Sequence, residues 1–537
     1  MKKLYVKTVG KELLFPLLVI IAVSFAVYSN TLGNGFVWDD SDQVLGNPWL
    51  KDPRFLPKIF SSGAWDFKSV ATNYYRPMTH VIFMLEYHIF GLKPWGFHLV
   101  NIIFHTGSSV LVFLIANILF RECKAPSKIL SLPLMAAILF AVHPIHTEPV
   151  AWIAAITDLS YAFFCLMSFY LYMRSENKFN TRYYISVMAF FLGTLCKEPA
   201  ITLPALTVAY DLMLNQKRPG LAFIVKRHAM FALAAASYLG IRFYALSGLV
   251  PIKSTSEYGS YGNMFILISA YLRKLVIPVN LKVIYWFSPV KSLLETQALL
   301  AIILTVVTVI LFYVAYKKDK LAFFCLLIIV VPLLPSFYVP ATNGPSLLGE
   351  RYLYLPSVGL AMLIPLMTAW FADSRWRVVA FSIFLVLIAL FSAGTMIRNA
   401  DWKDNRSLFA KEVERSPQSA EAHSYLGLGY NEHGQYDLAI GEFLTTINLN
   451  LFVEDAYKNL GIAYCGNGMM DKSISALEES LKVKPDDAEV YNYLGIDYEK
   501  KGDLKRALEN YKVAVNLNPS NMTFKRNLEK VLQEIQG

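Results

Sequence analysis

Charged residues are scarce in this sequence, because Asp, Glu, Lys and Arg make up only 17% of its 537 residues. A typical soluble globular domain carries about 25% charged residues. Hydrophobic residues reach 55%, and the mean hydropathy is +0.41. This composition excludes a single soluble globular domain and indicates that much of the chain lies in a membrane.

Cysteines are also few and show no paired spacing, which excludes a disulfide framework or a zinc ribbon read from sequence. The redox compartment must therefore follow from topology. The five cysteines are Cys123, Cys165, Cys196, Cys325 and Cys465.

Acidic residues are depleted in the first 397 residues, which have a net charge of +15, whereas the remainder has a net charge of −5. Basic membrane loops joined to a mildly acidic soluble region explain this division better than a nucleic-acid-binding surface does. We therefore expect membrane lipids, and no nucleic acid, among the partners.

Apolar runs long enough to cross about 30 Å of hydrocarbon predict about eleven transmembrane helices. Met1–Lys11 carries four lysines ahead of the run Leu13–Tyr28, which we interpret as a retained first span because no small-residue cleavage site follows it. The runs lie near residues 13–29, 97–120, 131–146, 158–173, 183–197, 199–214, 228–247, 298–316, 321–338, 352–371 and 377–396.

The basic connections predict the orientation of these spans. A cytoplasmic N-terminus places Arg174/Lys178/Arg182 and Lys317/Lys318/Lys320 on one side, as the positive-inside rule requires. Met264–Leu281 must then lie in the interface or re-enter the membrane. An odd number of spans sends everything after Arg398 to the outer face.

The C-terminal region repeats with a period of 34 residues. The glycine series Gly427, Gly461, Gly495 and the parallel series that begins at Gly434 both keep this step. Small and aromatic residues at this period are typical of tetratricopeptide helix pairs. We predict a transmembrane domain at 1–397, a linker at 398–419, three tetratricopeptide repeats at 420–521 and a capping helix at 522–537. The predicted fold class is all-α: a polytopic membrane protein with a C-terminal α-solenoid.

Two adjacent carboxylates, Asp39 and Asp40, follow the first span in the sequence Phe36-Val37-Trp38-Asp39-Asp40. Neighbouring like charges raise one another's pKa, so one carboxylate can act as a base while the other holds a proton or a partner. A solvated turn is the alternative. The position at the membrane boundary favours a catalytic pair.

The second outer loop contains His143, His146 and Glu148, followed by Asp158, and no Lys or Arg. Two imidazoles and a carboxylate could ligate a metal, but Pro144 prevents a regular helical face. A hydrogen-bonded scaffold around an active site is favoured, and an interface loop without a role in chemistry is the remaining alternative. We expect no metal.

Three cations, Arg76, Lys197 and Arg351, lie at predicted outer boundaries of the membrane. Ionisable residues at membrane depth cost about 2.5–3.5 kcal/mol and usually face a cavity or a partner. They are predicted to clamp a lipid phosphate; snorkelling to the headgroups is the alternative. Neighbouring residues are predicted to shape this site: Tyr75, Glu198, Glu350 and Tyr352.

The order of these motifs, followed by tetratricopeptide repeats, resembles the transmembrane and tetratricopeptide-repeat-containing O-mannosyltransferases, which are multi-span glycosyltransferases of the GT-C class. The motifs are Phe36-Val37-Trp38-Asp39-Asp40, Tyr75-Arg76-Pro77, His143-Pro144-x-His146-Thr147-Glu148-x-Val150-x-Trp152, Lys197-Glu198 and Glu350-Arg351-Tyr352.

The resemblance implies transfer of a sugar, mannose in the studied eukaryotic members, from a polyprenyl phosphate to a protein hydroxyl on the outer face. We expect an inverting transfer to Ser or Thr without a cofactor, because the lipid phosphate is itself a good leaving group. Asp39, or else Asp40, would be the base, and the repeats would hold the acceptor. The family commonly carries an Arg two residues before the acidic residue that follows its His-rich motif. In this chain that acidic residue is Asp158, and Ile156-Thr157 precede it. Compact loops suggest a bacterial inner-membrane member with periplasmic repeats. Two rival functions are transfer to a glycolipid or polysaccharide, and a membrane-anchored scaffold without activity.

Overall fold

Helices and their connections account for the described residues, which divide into two units. The computed structural model describes residues 2–68, 70, 72–123, 131–246, 261–285, 292–337, 348–370, 376–449, 455–519 and 521–536. Within these ranges there is no β-strand, and the predicted all-α class is confirmed. Unit 1 is Met1–Lys403, and unit 2 is Asp404–Gly537.

Unit 1 contains sixteen α-helices among the residues that the structure describes. Several begin with a proline in the first turn, where its missing N–H leaves no hydrogen bond unmade. Their bounds are α1 Lys2–Tyr28, α2 Leu56–Phe60, α3 Pro77–Phe90, α4 Pro94–Glu122, α5 Leu132–Val142, α6 Thr147–Ala151, α7 Ile156–Arg174, α8 Thr181–Cys196, α9 Leu203–Met213, α10 Leu221–Ala245, α11 Tyr261–Val276, α12 Thr296–Lys318, α13 Lys320–Val330, α14 Leu334–Phe337, α15 Ser357–Trp370 and α16 Arg377–Asn399.

Each of the eleven predicted apolar runs coincides with a helix or, near residues 131–146, with a bent pair of helices. By length and composition, six helices in the described ranges are able to span a membrane, or seven if α5 and the segment Pro144–Ala151, bent by 48°, form one span. These helices indicate an integral membrane protein. The count of eleven stays a prediction, since α8, α9, α10 and α15 are not among those six. The predicted run ends at 247, 338 and 371 lie outside the described residues.

The core of unit 1 lies around α4, α5 and α7. Helix α4 packs against α5 and α7, α7 packs against α8, and α15 packs against α5 and α13. Fully buried apolar residues such as Ile102, Phe140 and Leu159 fill this centre. The loop connections at one end of these helices carry the candidate site, so the packed helices fix the positions of those loops.

Unit 2 is a series of paired helices. The predicted linker, 398–419, is not an extended connection, because it holds the end of α16 and a further helix, α17, in which Leu408 and Phe409 are buried. Gly434, Gly468 and Gly502 adopt φ values of 69°, 78° and 82° between the helices of each pair, a conformation that favours glycine. The helices of this unit are α17 Asn405–Arg415, α18 Ala420–Glu432, α19 Tyr436–Leu449, α20 Ala456–Gly466, α21 Met470–Val483, α22 Ala488–Lys500, α23 Leu504–Leu517 and α24 Met522–Gln536.

Candidate functional site

Asp40 fastens the loop after α1 to the connection between α6 and α7. Its carboxyl group is completely buried. Oδ2 accepts a hydrogen bond from the Val37 amide at 2.9 Å, and Oδ1 accepts one from the Ala154 amide at 2.8 Å. Burial raises the pKa of Asp40 to about 8, and the backbone hydrogen bonds oppose this rise. Both oxygens of Asp40 are therefore engaged in holding the backbone.

Asp39 is placed differently from its neighbour, because its side chain is only half-buried. Burial raises its pKa to about 6; Arg351 and Lys68 act in the opposite direction, and Asp42 adds to the rise. At pH 7 a group with this pKa is about 90% ionised. Asp39 is thus the member of the pair that is both accessible and able to accept a proton.

Trp38 precedes this carboxylate in a strained backbone conformation. Its φ of 54° is unusual for a bulky residue and costs on the order of 1–2 kcal/mol. The indole stacks on Trp152, with ring centroids 4.6 Å apart, and Trp152 stacks in turn on Trp402 at 6.2 Å. Trp152 and Trp402 are buried, whereas Trp38 is half-buried.

The three predicted cations each form an ion pair with a carboxylate from a distant part of the chain. Arg351 Nη1 lies 2.5 Å from Glu148 Oε1, and the Arg351 amide donates to the other oxygen at 2.9 Å. Lys197 Nζ lies 2.6 Å from Asp158 Oδ1. Arg76 Nη2, from the residue that precedes α3, lies 3.0 Å from Glu198 Oε2.

These ion pairs meet in one region of unit 1. Lys197 interacts electrostatically with Arg76 and Arg351 as well as with Asp158. The Tyr352 ring lies beneath both Lys197 and Arg351, with 4.7 Å and 5.2 Å to its centroid. Arg351 in turn acts on Asp39. Electrostatic interactions thus link the predicted cations to one another and to the carboxylate pair.

The three cations differ in accessibility. The Lys197 side chain is 3% exposed, whereas those of Arg76 and Arg351 are 19% and 24% exposed. The side chains of Arg76 and Arg351 are therefore partly accessible, whereas Lys197 contributes its charge from the interior.

Sequence neighbours are not ion-pair partners in this site. The adjacent pairs Lys197-Glu198 and Glu350-Arg351 look like local ion pairs in the sequence, but each residue pairs elsewhere. Glu350 binds Arg398 at 3.0 Å, and also accepts hydrogen bonds from the Tyr285 hydroxyl at 2.5 Å and the Lys282 amide at 2.7 Å. Burial raises the pKa of Glu350 to about 7. Arg398 and Tyr285 were not predicted, because nothing in their sequence surroundings points to Glu350.

The two histidines between α5 and α6 support the backbone around the site. His143 Nδ1 accepts from the Ile145 amide at 3.2 Å, so its Nε2 carries the proton and donates to the Leu275 carbonyl at 3.1 Å. His146 Nε2 lies 2.7 Å from the Ser357 hydroxyl. These contacts fit the predicted hydrogen-bonded scaffold.

Tyr75 is buried and donates a hydrogen bond to the Phe60 carbonyl at 2.8 Å, so it anchors the backbone next to Arg76. Across the described ranges, no group of three His, Cys, Asp or Glu residues is arranged to hold a metal ion. A reaction without a metal stays a prediction.

The departure at Ile156-Thr157 leaves Asp158 with other partners. Ile156 is completely buried, and the Thr157 hydroxyl donates to Asp158 Oδ2 at 3.1 Å. Lys197 supplies the positive charge beside Asp158.

The fold and site together define a multi-helix membrane protein with an ionic centre beside the loop that follows α1 and a repeat unit at its C-terminus. The tetratricopeptide-repeat family model matches residues 488–521. The chain is 26% identical over 430 residues to the protein O-mannosyl-transferase F38B6.6 of Caenorhabditis elegans, covering 78% of this chain and 60% of that protein.

A second relative is the protein O-mannosyl-transferase TMTC4 of Homo sapiens, 25% identical over 486 residues, with 79% of this chain and 65% of that protein covered. The chain thus spans less than two thirds of the length of these relatives. Among solved structures, the MamA RS-1 ArsTM double mutant is 18% identical, and the match covers 29% of this chain and 84% of that protein with a TM-score of 0.22.

Proposed function

We propose that the chain is a membrane glycosyltransferase that transfers a sugar, mannose by its resemblance to the O-mannosyl-transferases, from a polyprenyl phosphate to Ser or Thr hydroxyls of proteins. Relatives with that name match about 78–79% of this chain. The observation that supports it most is the half-buried Asp39, which interacts with the accessible Arg351. A base and a phosphate-binding cation are the two groups that the reaction needs.

In the proposed reaction, Asp39 removes the proton from the acceptor hydroxyl as that oxygen attacks the anomeric carbon of the sugar. The bond between this carbon and the phosphate oxygen breaks, and the configuration at the carbon inverts. The leaving polyprenyl phosphate keeps the bonding electrons. Its negative charge is stabilised by Arg351 and Arg76, with Lys197 behind them.

Asp40 has a positioning role in this proposal. Because its two oxygens bind the amides of Val37 and Ala154, it holds Trp38 and Asp39 against the connection before α7. One base is sufficient for an inverting transfer, so the two carboxylates need not share a catalytic role.

The remaining parts of the proposal concern location and acceptor. We propose that the reaction takes place on the extracytoplasmic face, with the N-terminus in the cytoplasm, an orientation that the basic connections support through the positive-inside rule. A bacterial inner membrane and a polyprenyl carrier complete the proposal. The repeats of unit 2 would bind the acceptor protein and raise its concentration near the site.

The test is sugar transfer by the purified protein in lipid, supplied with radiolabelled polyprenyl-phosphate mannose and cell-envelope proteins. We expect the wild type to label protein and Asp39→Asn to lose about 10²–10⁴-fold in rate. Asp52→Asn is the matched control, since Asp52 lies in the same connection between α1 and α2 and pairs with the exposed Arg54. Label in lipid would favour a glycolipid acceptor. No label with any sugar donor would favour the scaffold.

A further inference from the structure

The indoles of Trp402, Trp152 and Trp38 stack in this order. Packing in the interior explains the first two, but it does not explain the position of Trp38. Trp402 and Trp152 are 0% and 5% exposed and belong to the interior. Trp38, at the other end of the stack, keeps part of its surface accessible while its backbone adopts a φ of 54°. Strained backbone conformations persist where the surrounding structure holds them, and they cluster at functional sites.

The surroundings of Trp38 show what holds it there. Asp40, two residues later, binds the Val37 amide on one side and the Ala154 amide on the other. The indole rests on Trp152 with an angle of 23° between the ring planes. The hydrogen bonds of Asp40 thus hold the backbone next to Trp38, and Trp152 holds the indole, so that together they fix the direction of the Trp38 ring.

The indole of Trp38 and the charged groups near it match the apolar and the polar groups of a sugar ring. Arg351 lies over the face of Trp152, 5.4 Å from its centroid, and Asp39 follows Trp38 in the chain. A hexose has C–H groups that suit a flat aromatic surface and hydroxyl groups that suit charged partners. An aromatic side chain offers a large apolar surface with little conformational freedom to lose.

We propose that the indole of Trp38 is the platform on which the hexose of the lipid-linked donor stacks, so that its anomeric carbon lies between Asp39 and the phosphate bound by Arg351. This inference rests on the proposed function and adds a residue that recognises the sugar itself. The phosphate is recognised separately by the guanidinium groups.

The test compares two lipids: radiolabelled polyprenyl-phosphate mannose and a bare phosphate lipid, the methyl ester of the same polyprenyl phosphate, which carries the same single negative charge but no sugar. Equilibrium binding is measured with the full chain in lipid nanodiscs. We expect the wild type to bind the sugar-bearing lipid about tenfold more tightly, which corresponds to about 1.4 kcal/mol. Neutral polyprenol serves as the reference for nonspecific partitioning.

Two variants separate recognition from packing. Trp38→Asn removes the ring, and Asn tolerates a positive φ, so the backbone of the loop is retained. Trp38→Phe keeps an aromatic surface. We expect Trp38→Asn to abolish the tenfold preference while leaving the affinity for the bare phosphate lipid unchanged, and Trp38→Phe to keep most of the preference.

Three results would overturn the inference. Equal weakening of both lipids by Trp38→Asn would mean that the ring only supports the loop, and an unchanged preference would mean that it does not contact the sugar. A wild type that binds both phosphate lipids equally, yet more tightly than polyprenol, would refute the platform and leave the proposed function standing. If neither phosphate lipid binds better than polyprenol, the proposed function fails as well.

Discussion

The buried pair of Lys197 and Asp158 provides the sharpest test of how the site is built. The two side chains are 3% and 1% exposed and lie 2.6 Å apart. Removing one partner of a buried ion pair leaves an uncompensated charge and costs about 3–5 kcal/mol, whereas replacing both with apolar residues is often neutral. We therefore expect Lys197→Met and Asp158→Leu to destabilise the protein strongly and the double variant to be near the wild type.

The two single variants are not expected to be equally stable. Asp158 acts on Arg76, Lys197 and Arg351 together, so its removal leaves three cations with a weaker counter-charge. Lys197→Met instead leaves Asp158 within reach of the two guanidinium groups. The Asp158→Leu variant should consequently be the less stable of the two.

Thermal unfolding of the purified protein in detergent, followed by tryptophan fluorescence, measures these effects. The expected order of midpoints is wild type, double variant, Lys197→Met and then Asp158→Leu. Transfer activity should not return with stability in the double variant, because the charge behind the phosphate is missing. Additive losses in the double variant would refute the reasoning, since the two groups would then act independently.

Three further predictions concern the base and the repeats. The rate of transfer should fall as the pH drops through about 6, because protonated Asp39 cannot accept the acceptor proton; a flat profile from pH 5 to 8 would contradict this. Lys68→Gln should move the midpoint of that profile upward, since Lys68 lowers the pKa of Asp39; a downward shift would contradict it. Gly495→Ala should destabilise unit 2 by about 1–3 kcal/mol, because the added Cβ would lie 2.5 Å from the Tyr511 ring. Gly441→Ala should instead stabilise its helix by about 1 kcal/mol, because no atom lies within 4 Å of the added Cβ. Limited proteolysis of the full chain measures both, and equal effects would refute the packing argument.

The helices could be predicted from the sequence because their signals are local. Apolar runs and a 34-residue period are properties of neighbouring residues, and each predicted run coincides with helical structure. The number of spans stays a prediction, because by length and composition fewer helices are able to cross a membrane than there are apolar runs. Helix α17, within the predicted linker, was not predicted because it carries no repeat glycine.

The candidate residues were predictable by type, but their partners were not. Adjacent side chains point in different directions, so Glu350 and Arg351 do not pair with each other. Their partners, Arg398 and Glu148, come from other helices and become neighbours only through the packing of unit 1. The left-handed backbone at Trp38 likewise has no sequence signal, because glycine or asparagine would be expected there.

The most direct test of the central claim is to measure donor binding and sugar transfer in the same preparations of wild type, Asp39→Asn and Asp40→Asn. Asn keeps the size of the side chain and its capacity for hydrogen bonds while it removes the basic group. We predict that Asp39→Asn binds polyprenyl-phosphate mannose as the wild type does but transfers the sugar to protein about 10²–10⁴-fold more slowly. Full transfer by Asp39→Asn would contradict the account, and if Asp40→Asn alone were inactive with its donor still bound, the base would be Asp40.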